Sequence, residues 1–455
     1  MSISIFVVSL LLLQLICLIV GKQASRKMES QEDYFLAGRG IRFFPLLMTL
    51  IATQVGGGLV LGSAEEAFRY GWYVLFYPAG ACLGLLLLAA GIGSRLSKIN
   101  VSTVAQIFEV VYRSDKLKKI ASSLSILSLF MILIAQVMAS KRFMISLGVG
   151  DEWLFMSFWA IVIIYTMIGG LKAVVATDIV QALFFIVIFV TCFISTLLGQ
   201  TSFDIAANPV AFDFDQSKWM GWLLMPLLFM LIEQDMAQRC FGAKSAKVVS
   251  WASAIAALSI MTICAIPVYY GILGKSLGVE VVPGSSVLMT VLQLTTNPTL
   301  TALFGCAILA AIISTADSLM NAISSNVSQD FEFKFLEREK SKVRFSQWVT
   351  GTIGCLAVFC SYYFANVVDI LIQSYALSVS CLLIPVVAAL WSRSYSTLAA
   401  AYGMAAGAAG FILTKILPEF WLPKEIIPLM LSAMGFAVGE ALFRLRLVRR
   451  IDPSI

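Results

Sequence analysis

The chain has 455 residues, 60% of them hydrophobic and only 13% charged, with a net charge of +6 and a mean hydropathy of +0.91. This balance excludes a soluble globular enzyme and a nucleic-acid binder, and makes the chain a polytopic membrane protein whose main partner is the lipid bilayer. The absence of histidine removes serine–histidine catalysis, histidine-ligated metals and histidine proton relays, and none of the nine scattered cysteines has CxxC spacing, so neither a disulfide framework nor a thiolate metal site is indicated.

Taken in order, apolar runs of membrane-spanning length predict about thirteen helices. They cover 3–20, 44–70, 72–93, 120–147, 153–169, 171–198, 219–241, 250–274, 300–330, 347–365, 368–391, 397–413 and 426–443. The first run has no basic region before it and reads as a retained helix, not a cleaved leader. Residues 102–112 and 285–294 read as short amphipathic helices at the two interfaces, the second introduced by Pro283-Gly284, and 334–344 as a charged loop. With the N-terminus outside, 25 of the 32 lysines and arginines fall on the inner side. That asymmetry predicts an external N-terminus and a cytoplasmic C-terminus. Short loops and a compact C-terminus suit a multi-pass protein of the plasma membrane, specifically a bacterial inner membrane.

The stretch Ala52-Thr53-Gln54-Val55-Gly56-Gly57-Gly58 lies in the middle of the second run. Three successive glycines weaken a helix at its own centre, each by roughly 1 kcal/mol against alanine. Two readings follow: a small-residue packing seam, or a broken helix whose bare carbonyls line a buried cavity.

A second stretch, Leu309-Ala310-Ala311-Ile312-Ile313-Ser314-Thr315-Ala316-Asp317-Ser318, sets two hydroxyls side by side within a span. On a helix Ala311, Ser314, Thr315 and Ser318 share one face. Such hydroxyls commonly bond back to their own backbone. Opposite a broken helix, however, they complete a cage of oxygens of the kind a hard cation such as sodium requires.

Asp178 and Asp317 are acids within spans, which by default mark ion or substrate paths; capping or interhelical bonding is the alternative for Asp178. Arg239, in Glu233-Gln234-Asp235 followed by Gln238-Arg239, reads as pairing with an acid and anchoring the end of its span, with Glu233 deeper and able to face a solute. Gln54 and Gln136 are lone amides in apolar runs: solute ligands or interhelical bonds. Glu65 and Glu66 are expected near the outer mouth.

Three blocks together carry a family resemblance: the glycine break at 52–62, Gly169–Gln181 with Thr177-Asp178, and Ala310–Ser318 with Ser314-Thr315. Gln238-Arg239 followed by Ala243-Lys244-Ser245 adds a fourth. Over nearly its whole length the chain resembles the sodium:solute symporter family. The resemblance implies an all-α, leucine-transporter-type fold of two five-helix inverted repeats, each begun by a discontinuous helix. Residues 1–43 would form an extra helix and inner loop, 44–200 and 201–393 the two repeats, and 394–455 two further helices and a tail. The family's sodium site would fall on the carbonyls of Ala52, Val55 and Ala311 and the hydroxyls of Ser314 and Thr315. Some members hold a second sodium, and the matching positions are Asp178, Ser314, Asp317 and Ser318, where Asp317 departs from the pattern as an extra acid.

The glycine block is similar to the choline-transporter branch, which builds an aromatic cage for a quaternary amine. Here Gln54 and Glu233 stand where tryptophans would, which argues against choline. The expectation is therefore a sodium-coupled symporter, not an enzyme, for a small polar organic solute held near Gln54, Gly56, Gly57, Gln136 and Glu233. Sodium is the single ion implied, and no obligate protein partner is indicated. A proton-coupled carrier using the buried carboxylates, or a non-transporting sensor, are the competing readings.

Overall fold

The computed structural model describes residues 2–199, 212, 218–280, 286–331, 333, 338–364, 367–391, 396–416 and 424–451. The described residues build an all-helical bundle. Its helices are α1 (Ile3–Ala24), α2 (Gln31–Leu36), α3 (Phe43–Gln54), α4 (Ser63–Tyr70), α5 (Phe76–Leu87), α6 (Gly93–Leu96), α7 (Gln106–Val110) and α8 (Asp115–Ser146). They continue with α9 (Glu152–Gly199), α10 (Lys218–Phe229), α11 (Gln234–Gly242), α12 (Ala246–Ser276), α13 (Val287–Thr295) and α14 (Pro298–Asp330). The last four are α15 (Glu339–Cys360), α16 (Val367–Trp391), α17 (Thr397–Ile416) and α18 (Ile426–Ile451).

Ten described segments are long and apolar enough to cross a membrane, against the thirteen expected. The difference has local causes. α9 counts as one segment, yet Gly170 (φ 52°, ψ −159°) breaks it in the middle, between the two runs that the sequence separates. Phe43–Gln54 is apolar but too short alone, and α15 opens on Glu339-Lys340-Ser341-Lys342.

Caps explain several helix starts that precede the apolar runs. Ser114 accepts from Leu117 N at the head of α8, and Ser245 from Val248 N at the head of α12, each satisfying a free amide of the first turn. Asn297 caps α14, with Pro298 as its first residue. Asp115 pairs with Lys118 and Lys119 one turn on. Glu339 pairs in the same way with Lys342, so residues 339–344 are helix where a loop was expected. The two short interfacial helices appear as α7 and α13, while Pro283-Gly284 and the repeat boundaries at 200/201 and 393/394 lie outside the described residues.

α14 is the central post. Nearly all its side chains are buried, and it packs against α9, α8, α1, α15 and α3. The loops that the lysine–arginine count assigns to one side do meet at one end of the bundle. There Lys172 pairs with Asp33, and Arg39 reaches Phe241 O at 3.4 Å and Val101 O at 3.2 Å. Ile41 pairs with the backbone around Ala243, and Gln31 bonds Ser346.

Candidate functional site

The run at residues 52–58 is interrupted, and more locally than the glycine count suggests. α3 keeps its last turn through Gln54, Val55 leaves the helical region (φ −79°, ψ 73°), and from Gly57 the chain is helical again, through a π-helical turn over Gly58–Gly62. The break is therefore confined to Val55 and Gly56. Gly56 is glycine because of what lies beside it: a Cβ there would stand 2.5 Å from Thr315 Oγ1 and 3.2 Å from Gln136 Oε1. Gln136 Oε1 accepts from Gly57 N at 2.9 Å, so this amide serves a backbone donor freed by the break.

α14 faces the break with its hydroxyls. Ser314 Oγ lies 2.8 Å from Ala52 O and 2.9 Å from Ala311 O. Thr315 Oγ1 lies 2.9 Å from Thr53 O and 3.2 Å from Ala311 O. Both hydroxyls thus bond back to their own helix, as the bland reading held, and also cross to the end of α3. Ala52 O, Ala311 O, Ser314 Oγ and Thr315 Oγ1 form one connected group of oxygens at the broken helix, and Val55, also buried, closes the same turn.

A second polar cluster adjoins this one. Asp178 Oδ2 accepts from Thr49 Oγ1 at 2.5 Å and from Arg239 at 3.3 Å, and the Asp178 and Arg239 side chains are both 0% exposed. The same guanidinium donates to Thr49 Oγ1 at 2.9 Å, Ser318 Oγ at 2.5 Å and Asp235 O at 3.0 Å. Arg239 therefore does pair with an acid, but with one on α9 and not with the carboxylate of Asp235 on its own helix or of Glu233 just before it. Asp317 accepts from Tyr165 OH at 3.0 Å, and its other oxygen has no partner among the described residues.

The second discontinuity lies between α10 and α11. Residues 230–233 are non-helical, and Glu233 (φ −64°, ψ 124°) stands immediately before α11. The two breaks frame a cavity lined by Gln54, Gly56, Gln136, Glu233, Thr315, Tyr77 and Tyr375 among others. Gln54 Nε2 reaches Glu233 Oε2 at 3.4 Å across it.

The family model for sodium:solute symporters matches residues 34–407. The chain belongs to the sodium:solute symporter family. It is 24% identical to a sodium/pantothenate symporter of Haemophilus influenzae over 93% of this chain and 92% of that protein. It is 27% identical to an osmoregulated proline transporter of Bacillus subtilis over 75% of this chain and 73% of that one. Among solved structures, a Na⁺-coupled sialic acid symporter in a substrate-bound outward-open state superposes with a TM-score of 0.76 at 16% identity, covering 96% and 98% of the two chains. That likeness establishes a shared leucine-transporter-type fold. This symporter is thus a multi-pass plasma-membrane transporter of a solute with sodium and not an enzyme, and sodium is cargo in such a protein, not a resident cofactor.

Against the sequence, the symporter's structure brings Ala52, Ala311, Ser314 and Thr315 together at the break, keeps Val55 in the break itself, and brings Gln54, Gly56, Gln136 and Glu233, with Thr315, to the cavity. Gly57 sits behind Gln136. Asp178, Asp317 and Ser318 belong to the buried cluster around Arg239 and Tyr165. The roles of Thr49, Tyr77, Tyr165 and Tyr375 were missed. A lone threonine or tyrosine in an apolar run has no distinguishing local pattern.

Proposed function

We propose that this symporter binds one sodium ion at the carbonyls of Ala52, Val55 and Ala311 and the hydroxyls of Ser314 and Thr315, and couples it to import of a small polar organic solute. The observation that carries this reading is the bonding of both α14 hydroxyls to carbonyls at the broken end of α3. A cation entering there exchanges the Ser314–Ala52 bond for coordination by the same two oxygens and draws Thr315 Oγ1 away from Thr53 O. It thereby ties α3 to α14 beside the solute cavity, which Thr315 also lines. Broken helices with free carbonyls at mid-membrane suit this chemistry. A second ion at Asp178, Asp317 and Ser318 is not part of the reading, because Arg239 already supplies a cation to Asp178 and Ser318.

In this reading the two breaks open the two five-helix repeats, 44–200 and 201–393, and α17 and α18 lie outside that core. The basic end, with Arg39 and Lys172, faces the cytoplasm of a bacterial cell and the N-terminus lies outside. Sodium crossing 100 mV contributes about 2.3 kcal/mol, and a tenfold gradient about 1.4 kcal/mol. Together they support roughly 500-fold accumulation of solute per sodium.

The test is thermal stability of the purified protein with sodium against potassium, followed by uptake into proteoliposomes. Sodium should raise the melting temperature of the wild type and not of the Ser314→Ala/Thr315→Ala variant. Uptake driven equally well by a proton gradient in sodium-free medium would overturn sodium coupling.

A further inference from the structure

Among the described residues that line the solute cavity, Glu233 is the only charged one. Its side chain is buried, with the residue 8% exposed, and the hydrogen bond it receives from Gln54 is long, 3.4 Å, and comes from a neutral donor. A buried carboxylate calls for a cation or a charge-assisted donor. The nearby basic group, Arg239, is committed to Asp178, Thr49, Ser318 and Asp235 O. Asp235, two residues beyond Glu233, is buried as well, and its side chain lies within hydrogen-bonding reach of the Glu233 carboxyl, so that two acids adjoin here.

An adjoining cavity repeats the pattern. It shares Gly58, Tyr77 and Leu371 with the first and reaches Trp222, and its charged residue among the described ones is the acid Glu66, whose buried Oε2 has no partner among the described residues. Among the described residues, the linings of the two adjoining cavities thus carry carboxylates and no basic group.

We infer that the transported solute carries a protonated amine with N–H donors, held against Glu233 and passed by Glu66, and that amine-free anions are refused. The inference rests on the symport reading above and narrows its solute. An ammonium supplies Glu233 with both charge and donors, whereas an anion meets like charge with no cation on the lining. Thr315, one of the proposed sodium ligands, lines the same cavity as Glu233. A zwitterion turns its acid end to Thr315 and its ammonium to Glu233, and a simple amine uses Glu233 alone. The two aromatic rings at the cavity, Tyr77 and Tyr375, flank the site without closing the cage that a quaternary amine lacking N–H donors would need.

The test is a competition for the purified full-length protein. It is offered an equimolar mixture of amino acids, diamines and amino alcohols together with hydroxy acids, sugars, polyols and pantothenate. The retained fraction is identified by mass spectrometry. The expected result is retention of one or more amines at least about tenfold above every amine-free compound, with a loss of about tenfold or more in Glu233→Gln and a smaller loss in Glu233→Asp. Retention of an amine-free compound in preference, retention of no amine, or undiminished retention by Glu233→Gln overturns the inference. Should Glu233→Gln fail to fold, the wild-type competition and Glu233→Asp decide. Failure of the sodium reading is seen separately, as a wild-type protein that sodium does not stabilise, and the amine competition is then scored in sodium-free buffer.

Discussion

Ser314 Oγ on α14 stands 2.8 Å from the carbonyl oxygen of Ala52, in the last turn of α3 before its break. Residues 262 positions apart are thereby joined at the point where one helix has carbonyls to spare and the other has hydroxyls to offer. Ser314→Ala removes that bond and should cost about 1 kcal/mol of stability. With Thr315→Ala added, sodium-stimulated uptake should fall to the sodium-free rate, measured as initial rates in proteoliposomes at matched protein content.

Gly56 tests the same contact from the other side. An added methyl would sit 2.5 Å from Thr315 Oγ1, and the side chain that must yield is the proposed sodium ligand itself. Gly56→Ala should destabilise by about 1–3 kcal/mol, as overpacking does, and weaken sodium-induced stabilisation. Gly199→Ala is the control, because nothing among the described residues lies within 4 Å of its added carbon.

Arg239 and Asp178 form an ion pair with both side chains fully buried. Removing one partner strands a charge, so Arg239→Ala should cost about 3–5 kcal/mol and lower the yield of folded protein. The double variant Asp178→Asn/Arg239→Gln should be less damaged than the sum of its two single variants. Denaturation midpoints of the four proteins measure the coupling. Strict additivity would show that the pair does not act as a unit.

Asp33 lies in α2, outside the spans. Partial burial works to raise its pKa, but the hydrogen bond from Lys172, with those from Glu29 N and Ser30, outweighs it and holds the carboxyl below its ordinary value of 3.8. A carboxyl depressed on folding stabilises above its unfolded pKa, and that stabilisation is lost as pH falls through the folded value. Asp33→Asn should therefore destabilise the protein slightly at neutral pH, by no more than about 1 kcal/mol for a partly exposed pair, seen as a small drop in melting temperature. The difference from wild type should vanish as pH drops below about 4.

Membrane character, the family and the two stretches that matter were legible along the chain because each rests on local chemistry. Apolar runs of about twenty residues read as spans by length alone, and Gly56-Gly57-Gly58 and Ser314-Thr315 are anomalies within their own runs. Gly170 was legible for the same reason, as the residue at which a long apolar stretch turns. The starts of α8 and α15 were placed too late, because their first turns are polar and held by caps and by Asp115 and Glu339 pairing with nearby lysines.

Which acid Arg239 serves depended on tertiary structure, since Asp178 is 61 residues upstream and Asp235 is only four. So did the narrowness of the break, which Thr315 and Gln136 confine to Val55 and Gly56 by filling the space beside it. That the charged group described on the solute cavity's lining is an acid, Glu233, was hidden for a like reason. Residues from α3, α5, α8, α10, α14 and α16 and from the two breaks converge there, and no pattern of spacing within one helix reveals which faces of six helices will meet. Sequence order decides what each helix can offer, and packing decides to whom.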